Sequence, residues 1–342
     1  MVSRSGLQDR RGFDVSLKIS MVLIAVGLIA MPTYNWLVGL LVAMSSGIAF
    51  ITLERVSAPP ANSPREFAIF HRRQPRRRPV LACLGDSLTH GNCSASITPE
   101  IPSKLCIKLG MELPKYGSTF ADPVWVVNCG QNGITSETIL KERMNAALGV
   151  YPDYMMIMIG TNDVRAMYKK SWGKDISRIN TLSQVPTMAL LERNLTEILH
   201  FIDQSSPNVK IALCTLPPMG EDLKAKSNDL IREANQIIER VGANYGERCT
   251  VIPVFSCFEA ILEKKRKGGL PVDAFFPLSI IMNLLFHNLG IFFSWDRLST
   301  MVGNKILTDG LHLNETGAYE VVDQIVDWLV KSNVAKAIAV KS

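Results

Sequence analysis

The chain has 342 residues, of which 47% are hydrophobic and 20% are charged. This length and composition predict a folded protein with a sizeable core and exclude a disordered chain. The net charge of +6 is concentrated before residue 80, where 11 Lys/Arg stand against 4 Asp/Glu, and the rest of the chain is almost neutral. This distribution argues against nucleic acid as a partner and favours contact with an anionic membrane surface.

Residues 1–18 form a basic tail, and the 35 residues of 19–53 contain no Asp, Glu, Lys or Arg. As one helix they would span roughly 52 Å, more than a ~30 Å hydrocarbon core requires. The sequence Pro-Thr-Tyr-Asn at 32–35 interrupts the apolar run. A cleaved signal peptide would leave the second apolar half unexplained. We therefore expect an α-helical membrane anchor, either one span over 36–53 or a short hairpin.

Both flanks of the apolar segment are basic. The positive-inside rule then favours a hairpin with both ends in the cytosol, and hence a cytosol-facing catalytic domain. Residues 54–79 resemble a linker, because prolines at 59, 60, 64, 75 and 79 resist regular structure. The five arginines within 72–78 either contact acidic lipid headgroups or belong to a solvated tether.

From residue 80 onward, short apolar runs alternate with longer helical patterns. The predicted strands are Val80–Leu84, Val124–Asn128, Asp153–Ile159, Val209–Thr215 and Cys249–Val254. The main predicted helices are Thr187–Gln204, Leu223–Asn244 and Glu315–Val330. Apolar strands that alternate with helices indicate an α/β fold with a parallel sheet covered on both faces. Residues 80–332 form this predicted domain, and 333–342 form a C-terminal tail.

Four motifs follow predicted strands and therefore gather at the carboxyl edge of the sheet. They are Gly-Asp-Ser-Leu at 85–88, Asn-Cys-Gly-Gln-Asn-Gly at 128–133, Gly-Thr-Asn-Asp at 160–163 and Asp-Gly-Leu-His at 309–312. A serine, a histidine and an aspartate at one site are able to perform nucleophilic acyl transfer. Of the five histidines, His312 is the best candidate base, because Asp309 precedes it by three residues and a helix start follows it.

These motifs, in this order, resemble the SGNH (GDSL) hydrolase superfamily over about residues 80–332. The resemblance implies a flavodoxin-like three-layer sandwich with a five-stranded parallel sheet. It implies hydrolysis of a carboxylic ester by Ser87 as nucleophile, His312 as base and Asp309 as its partner. The implied oxyanion hole consists of the Ser87 amide, the Gly133 amide (with Gly130 as the fallback) and the Asn162 side chain. No cofactor or metal is expected.

An insertion over about 264–306 precedes the acid–base pair, and its residues 274–295 carry no formal charge. It is interpreted as a lid, an acyl-chain pocket with Phe292 and Phe293, a membrane-dipping element or a buried helix. Together with the anchor, it favours an acyl lipid or lysophospholipid as the ester substrate. The alternatives are a carbohydrate O-deacetylase or O-acyltransferase with the same triad, and a non-catalytic protein that binds lipid or glycan.

Overall fold

The structure is a computed structural model that describes residues 60, 63–71, 79–91, 101, 124–264, 295–301 and 303–332. Within these residues, no helix is long and apolar enough to cross a membrane. The predicted anchor at 19–53 and the arginine cluster at 72–78 lie outside the described residues. So does most of the predicted insertion, including Phe292 and Phe293.

Five parallel strands form one sheet in the order β2-β1-β3-β4-β5. The strands are β1 (Val80–Gly85), β2 (Trp125–Asn128), β3 (Tyr154–Met158), β4 (Lys210–Cys214) and β5 (Cys249–Ile252). The predicted five-stranded parallel sheet is confirmed. β5 ends two residues earlier than predicted, because Pro253 caps a helix that begins at Val254.

Helices connect the strands. They are α1 (Pro64–His71), α2 (Ser87–His90), α3 (Ser136–Thr138), α4 (Met144–Leu148), α5 (Thr161–Tyr168), α6 (Lys170–Ile179), α7 (Met188–Ser205), α8 (Lys226–Ala243), α9 (Val254–Glu263), α10 (Trp295–Met301) and α11 (Glu315–Lys331). A π-helical turn, Ile139–Arg143, joins α3 to α4. The three long helices predicted from the sequence correspond to α7, α8 and α11, with ends that differ by at most three residues.

The core is divided by the sheet into two layers. Along β1, Val80, Ala82 and Leu84 face one side, where α7 and α8 cover the sheet. Leu81 and Cys83 face the other side, which α9 and α11 cover. This alternation follows from the two-residue period of a strand, and burial on both faces explains why β1 is apolar throughout. The predicted three-layer arrangement is confirmed.

The proline-rich linker contains regular structure, which corrects the sequence-based expectation. Helix α1 begins at Pro64, whose fixed φ suits the first turn of a helix, and the next proline is Pro75. The Phe67 ring packs edge-on against Trp125 of β2, with a centroid distance of 6.2 Å. Contact with the sheet thus stabilises a helix that composition alone did not predict.

Candidate active site

The first predicted site residue, Ser87, lies directly after β1 at the start of α2. Asp86 caps this short helix, and its Oδ1 accepts a hydrogen bond from the Leu88 amide at 3.0 Å. The strand can turn so tightly because Gly85 lacks a side chain: a Cβ there would lie 2.4 Å from the Met158 carbonyl oxygen. The turn therefore presents Ser87 at the carboxyl edge of the sheet, with 8% of its surface exposed.

Asp309 and His312 lie on one short loop before α11. Asp309 Oδ1 accepts hydrogen bonds from the amides of Leu311 (3.0 Å) and His312 (2.8 Å). Asn314 ends the loop by capping α11, where its side chain accepts from the Gly317 amide. The Asp-x-x-His spacing is thus a compact turn in which the carboxylate organises the backbone that carries the imidazole.

The structure brings Ser87, His312 and Asp309 into one hydrogen-bonded chain. His312 Nδ1 lies 2.7 Å from Asp309 Oδ2, and His312 Nε2 lies 3.0 Å from Ser87 Oγ. An ionised carboxylate only accepts hydrogen bonds, so Nδ1 carries the proton of the neutral imidazole. Nε2 is then the acceptor for the Ser87 hydroxyl, which is the tautomer that general-base chemistry requires.

Asp309 is fully buried, and burial alone would raise its pKa. The charge of His312 and the hydrogen bonds from its imidazole, its amide and the Leu311 amide outweigh this effect and hold the pKa of Asp309 below its usual value. Asp309 therefore remains an anion at neutral pH, which allows it to orient the imidazole and to stabilise an imidazolium.

Asn162 lies in the first turn of α5, and Gly133 lies in the loop between β2 and α3. The Asn162 Nδ2 group donates to the carbonyl oxygen of Ile134, the residue after Gly133, at 2.9 Å. Gly133 has a positive φ of 73°, and a Cβ at this position would have no atom within 4 Å. The Asn180 side chain donates to the Gly133 carbonyl at 2.9 Å and fixes this loop. Gly133 therefore faces open space beside the Asn162 amide.

The fallback residue, Gly130, has a packing role instead. A Cβ there would lie 2.5 Å from the His90 amide nitrogen and 2.9 Å from the Thr89 carbonyl carbon. Gly130 thus lets the loop after β2 approach the backbone of α2 closely. Between the two glycines, the open surroundings favour Gly133 as a lining residue of the site.

Sequence reasoning missed Arg165, which lies one helical turn after Asn162 on α5. Its guanidinium donates to Asn162 Oδ1 at 3.0 Å. Because an arginine only donates, this contact assigns the oxygen of the Asn162 amide and leaves Nδ2 on the side of the Gly133 loop. Burial lowers the pKa of Arg165, while the carboxylates of Asp309 and Asp86 raise it. The i, i+3 spacing on a predicted helix was the only available signal for this pair.

A second polar network supports the segments that carry Asn162 and Gly133. Buried Asp163 accepts from the Ser136 hydroxyl at 2.7 Å and from the Ser136 amide at 3.0 Å. The Asn194 side chain of α7 donates to the same hydroxyl at 3.0 Å. The network joins the first turn of α5 to the start of α3, and so fixes Asn162 relative to the loop that carries Gly133.

Asp86, next to the predicted nucleophile, carries an unusual carboxyl group. Its Oδ2 atom is buried and has no hydrogen-bond partner within the described part of the chain. Burial raises the pKa of Asp86 to about 7, against the opposing effects of the Leu88 amide and the charges of His312 and Arg165. The nearby carboxyl of Asp163 acts in the same direction as burial.

This pKa predicts a pH-dependent stability. Between the ordinary value of 3.8 and about 7, Asp86 is protonated in the folded protein but ionised in the unfolded chain. Unfolding then releases a proton, so the free energy of unfolding falls as the pH rises. We expect wild type to lose stability relative to Asp86→Asn between about pH 4 and pH 7. Urea unfolding of both proteins across this range measures the difference, with Asp175→Asn on the surface as the control. A difference that does not change with pH would contradict the prediction.

Comparison with known proteins adds to this geometry. The chain matches the GDSL-like Lipase/Acylhydrolase family over residues 83–318. No curated protein matches the chain.

Two solved structures share the fold. One is an α/β hydrolase enzyme from the metagenome of Lake Arreo, Spain, with 17% identity, a TM-score of 0.50, and 76% of this chain and 96% of that chain covered. The other is a catalytic mutant of an acetylxylan esterase from Geobacillus stearothermophilus, with 15% identity, a TM-score of 0.50, and 74% and 95% covered. At these identities the likeness concerns the fold. The family match spans well over half of the residues, from the end of β1 to the start of α11. The chain therefore belongs to the GDSL-like lipase/acylhydrolase family and is a carboxylic ester hydrolase.

Proposed function

We propose that the protein is a serine esterase that forms an acyl-enzyme on Ser87, with His312 as the general base and Asp309 as its orienting anion. The hydrogen-bonded chain from Asp309 through His312 to Ser87 Oγ is the observation that carries this proposal. In the first step, Ser87 Oγ attacks the ester carbonyl carbon and His312 Nε2 takes the hydroxyl proton. The resulting imidazolium is stabilised by the buried Asp309 carboxylate.

The tetrahedral intermediate carries a negative charge on the former carbonyl oxygen. In our proposal, the Ser87 amide, the Gly133 amide and the Asn162 Nδ2 group donate to this oxyanion. Collapse of the intermediate breaks the ester bond, and the imidazolium protonates the leaving alcohol. Water then attacks the acyl-enzyme with His312 again as base, which releases the carboxylic acid and regenerates the Ser87 hydroxyl.

The role of Asn162 predicts a specific kinetic signature. Asn162→Ala should lower kcat by about 10²–10³-fold with little change in KM, because a hydrogen bond to the oxyanion is strongest in the transition state. Steady-state kinetics on a soluble acetyl ester measures both constants. Asn244→Ala, at the end of α8 away from the carboxyl edge, is the matched control and should leave both constants unchanged. A rise in KM with an unchanged kcat would assign Asn162 to ground-state binding instead.

For the substrate, we propose an acyl lipid or lysophospholipid. The proposal rests on sequence features that lie almost wholly outside the described residues. They are the uncharged segment 19–53, the arginines of 72–78 and the uncharged stretch 274–295 with Phe292 and Phe293, of which only Trp295 is described. A panel of esters from acetyl to long acyl chains on the purified protein tests it. A kcat/KM that rises with acyl length supports a lipid substrate, since each buried methylene contributes about 0.8 kcal/mol.

The same panel tests a second candidate, a carbohydrate O-deacetylase. This substrate class is represented among the fold neighbours by the acetylxylan esterase. Preference for acetyl esters of sugars over long-chain esters would favour it over the lipid proposal. Product formation that depends on an added acceptor alcohol, with slow hydrolysis in water alone, would instead indicate an O-acyltransferase that uses the same triad.

We further propose that residues 19–53 anchor the protein in a membrane. The 35 uncharged residues are too apolar to remain in water. The full chain should therefore resist extraction from membranes by alkaline carbonate, whereas a truncated chain that starts near Pro79 should be soluble and active. Recovery of the full chain in the soluble fraction would contradict the anchor. Protease protection of terminal tags then separates one span from a hairpin with both ends in the cytosol.

A further inference from the structure

A buried glutamate outside the catalytic motifs holds the acid–base loop. Glu221 lies between β4 and α8 and is 3% exposed. Its Oε1 accepts from the amides of Lys305 (2.7 Å), Ile306 (2.7 Å) and Leu307 (2.9 Å), and its Oε2 also accepts from the Lys305 amide (2.8 Å). Three successive amides that point to one side form an anion-binding concavity, and here a carboxylate of the same chain fills it.

The bound amides belong to the loop that carries Asp309 and His312. The Thr308 amide donates to the His312 carbonyl at 2.8 Å, and Leu307 pairs with Leu313 in an antiparallel bridge. The Asn314 amide donates to the Ile306 carbonyl at 2.8 Å. The chain therefore runs from the amides that bind Glu221, through the turn that carries Asp309 and His312, and back to a hydrogen bond with Ile306.

The glutamate is itself firmly held. The Asn228 side chain of α8 accepts from the Met219 amide and donates to the carbonyl oxygens of Gly220 and Asp222. The Gly220 amide also donates directly to the carbonyl of Gly310, within the catalytic turn, at 2.7 Å. Segment 219–222 is thus fixed to the first turn of α8 and contacts the acid–base loop at two points.

We propose that Glu221 is a positioning residue for catalysis: its carboxylate sets the distance between His312 Nε2 and Ser87 Oγ by holding the amides of 305–307. This inference rests on the proposed function of the triad. The contacts within the turn place Asp309 against His312, but they do not fix the turn relative to β1. Ser87 and His312 are 225 positions apart in the chain. The Glu221 and Gly220 contacts join the turn to the segment that follows β4. Because β4 and β1 belong to the same sheet, these contacts fix the turn relative to Ser87, which follows β1.

The test is the kinetics of Glu221→Gln. The amide keeps the shape of the side chain but replaces one acceptor oxygen by a donor group that faces a backbone amide. We expect kcat on a soluble acetyl ester to fall by about 10–10²-fold with KM within about twofold, because a small displacement of a catalytic group slows chemistry without weakening binding. Rates are expressed per active site, titrated to end point with a fluorophosphonate, so that unfolded protein does not contribute.

Asp153→Asn is the matched control. Asp153 Oδ2 accepts from the Val80 amide at 2.9 Å at the opposite, amino end of the sheet. This variant should lower the melting temperature and leave kcat per titrated site unchanged. If Glu221→Gln does the same, with kcat within twofold of wild type, Glu221 is merely structural and the proposal is overturned.

Glu221→Asp provides the test if Glu221→Gln does not fold. It keeps the charge but withdraws the carboxylate by one methylene. Its kcat should be lower than that of wild type, but by less than the loss of about 10–10²-fold expected for Glu221→Gln. An unchanged kcat in this variant would also overturn the proposal. Failure of the proposed triad is seen separately, as activity that survives in Ser87→Ala whatever the Glu221 variants do.

Discussion

Replacement of Ser87 by alanine is expected to reduce kcat for ester hydrolysis by about 10⁶-fold while the fold remains intact. The reason is chemical: without Oγ there is no nucleophile for His312 to activate, and no acyl-enzyme forms. The methyl side chain fits the site, because it is smaller than the hydroxymethyl group, whose Oγ lies 3.0 Å from His312 Nε2. Steady-state kinetics and a thermal unfolding curve together measure the effect.

The matched control for this variant is Ser205→Ala, an exposed serine at the end of α7. It should have the activity and the melting temperature of wild type. Residual activity of Ser87→Ala within tenfold of wild type, in a preparation free of contaminating esterase, would show that another group is the nucleophile.

The second large effect is expected for the acid–base pair. His312→Ala removes the base and should cost about 10⁶-fold in kcat, whereas Asp309→Asn should be milder, at about 10⁴-fold, because the base remains while its orientation and charge stabilisation are lost. The Ser87→Ala/His312→Ala double variant should be no less active than either single variant, since the two residues act as one unit. Rates on an acetyl ester across this series measure the coupling.

His200→Ala is the control for the histidine change. His200 lies on the exposed face of α7, where its Nε2 atom lies 2.7 Å from Gln204 Nε2. The variant should retain full activity. Losses that simply multiply in the double variant, or an Asp309→Asn protein with wild-type kcat, would contradict a triad that acts as a unit.

The fold and the clustering of Ser87, His312 and Asp309 were predictable from sequence for a local reason. Each strand is a short run of apolar residues with a turn after it, as in β1, which ends at Gly85 and is followed by Asp86 and Ser87. Burial on both faces of the sheet demands apolar strands. Since all strands are parallel, residues that follow them meet at one edge without any knowledge of distant contacts. The Asp309–His312 turn is also local, with the partners three residues apart.

The supporting contacts were not predictable, because they join distant parts of the chain. Glu221 binds amides 84 to 86 positions away, and a glutamate before a helix has the same sequence appearance as a solvated one. Helix α1 was missed because proline content describes composition, whereas Pro64 at a first helical position and the packing of Phe67 on Trp125 decide the structure. The orientation of Asn162 likewise depends on Arg165, whose role appears only once the helix is built.

The most direct test of the central claim is covalent labelling with a fluorophosphonate, followed by peptide mass spectrometry. We expect a single adduct on the peptide that contains Ser87, no adduct in Ser87→Ala, and much slower labelling in His312→Ala because the hydroxyl is not activated. An adduct on a different residue, or an active protein that the reagent neither labels nor inhibits, would contradict the assignment of Ser87 as the nucleophile.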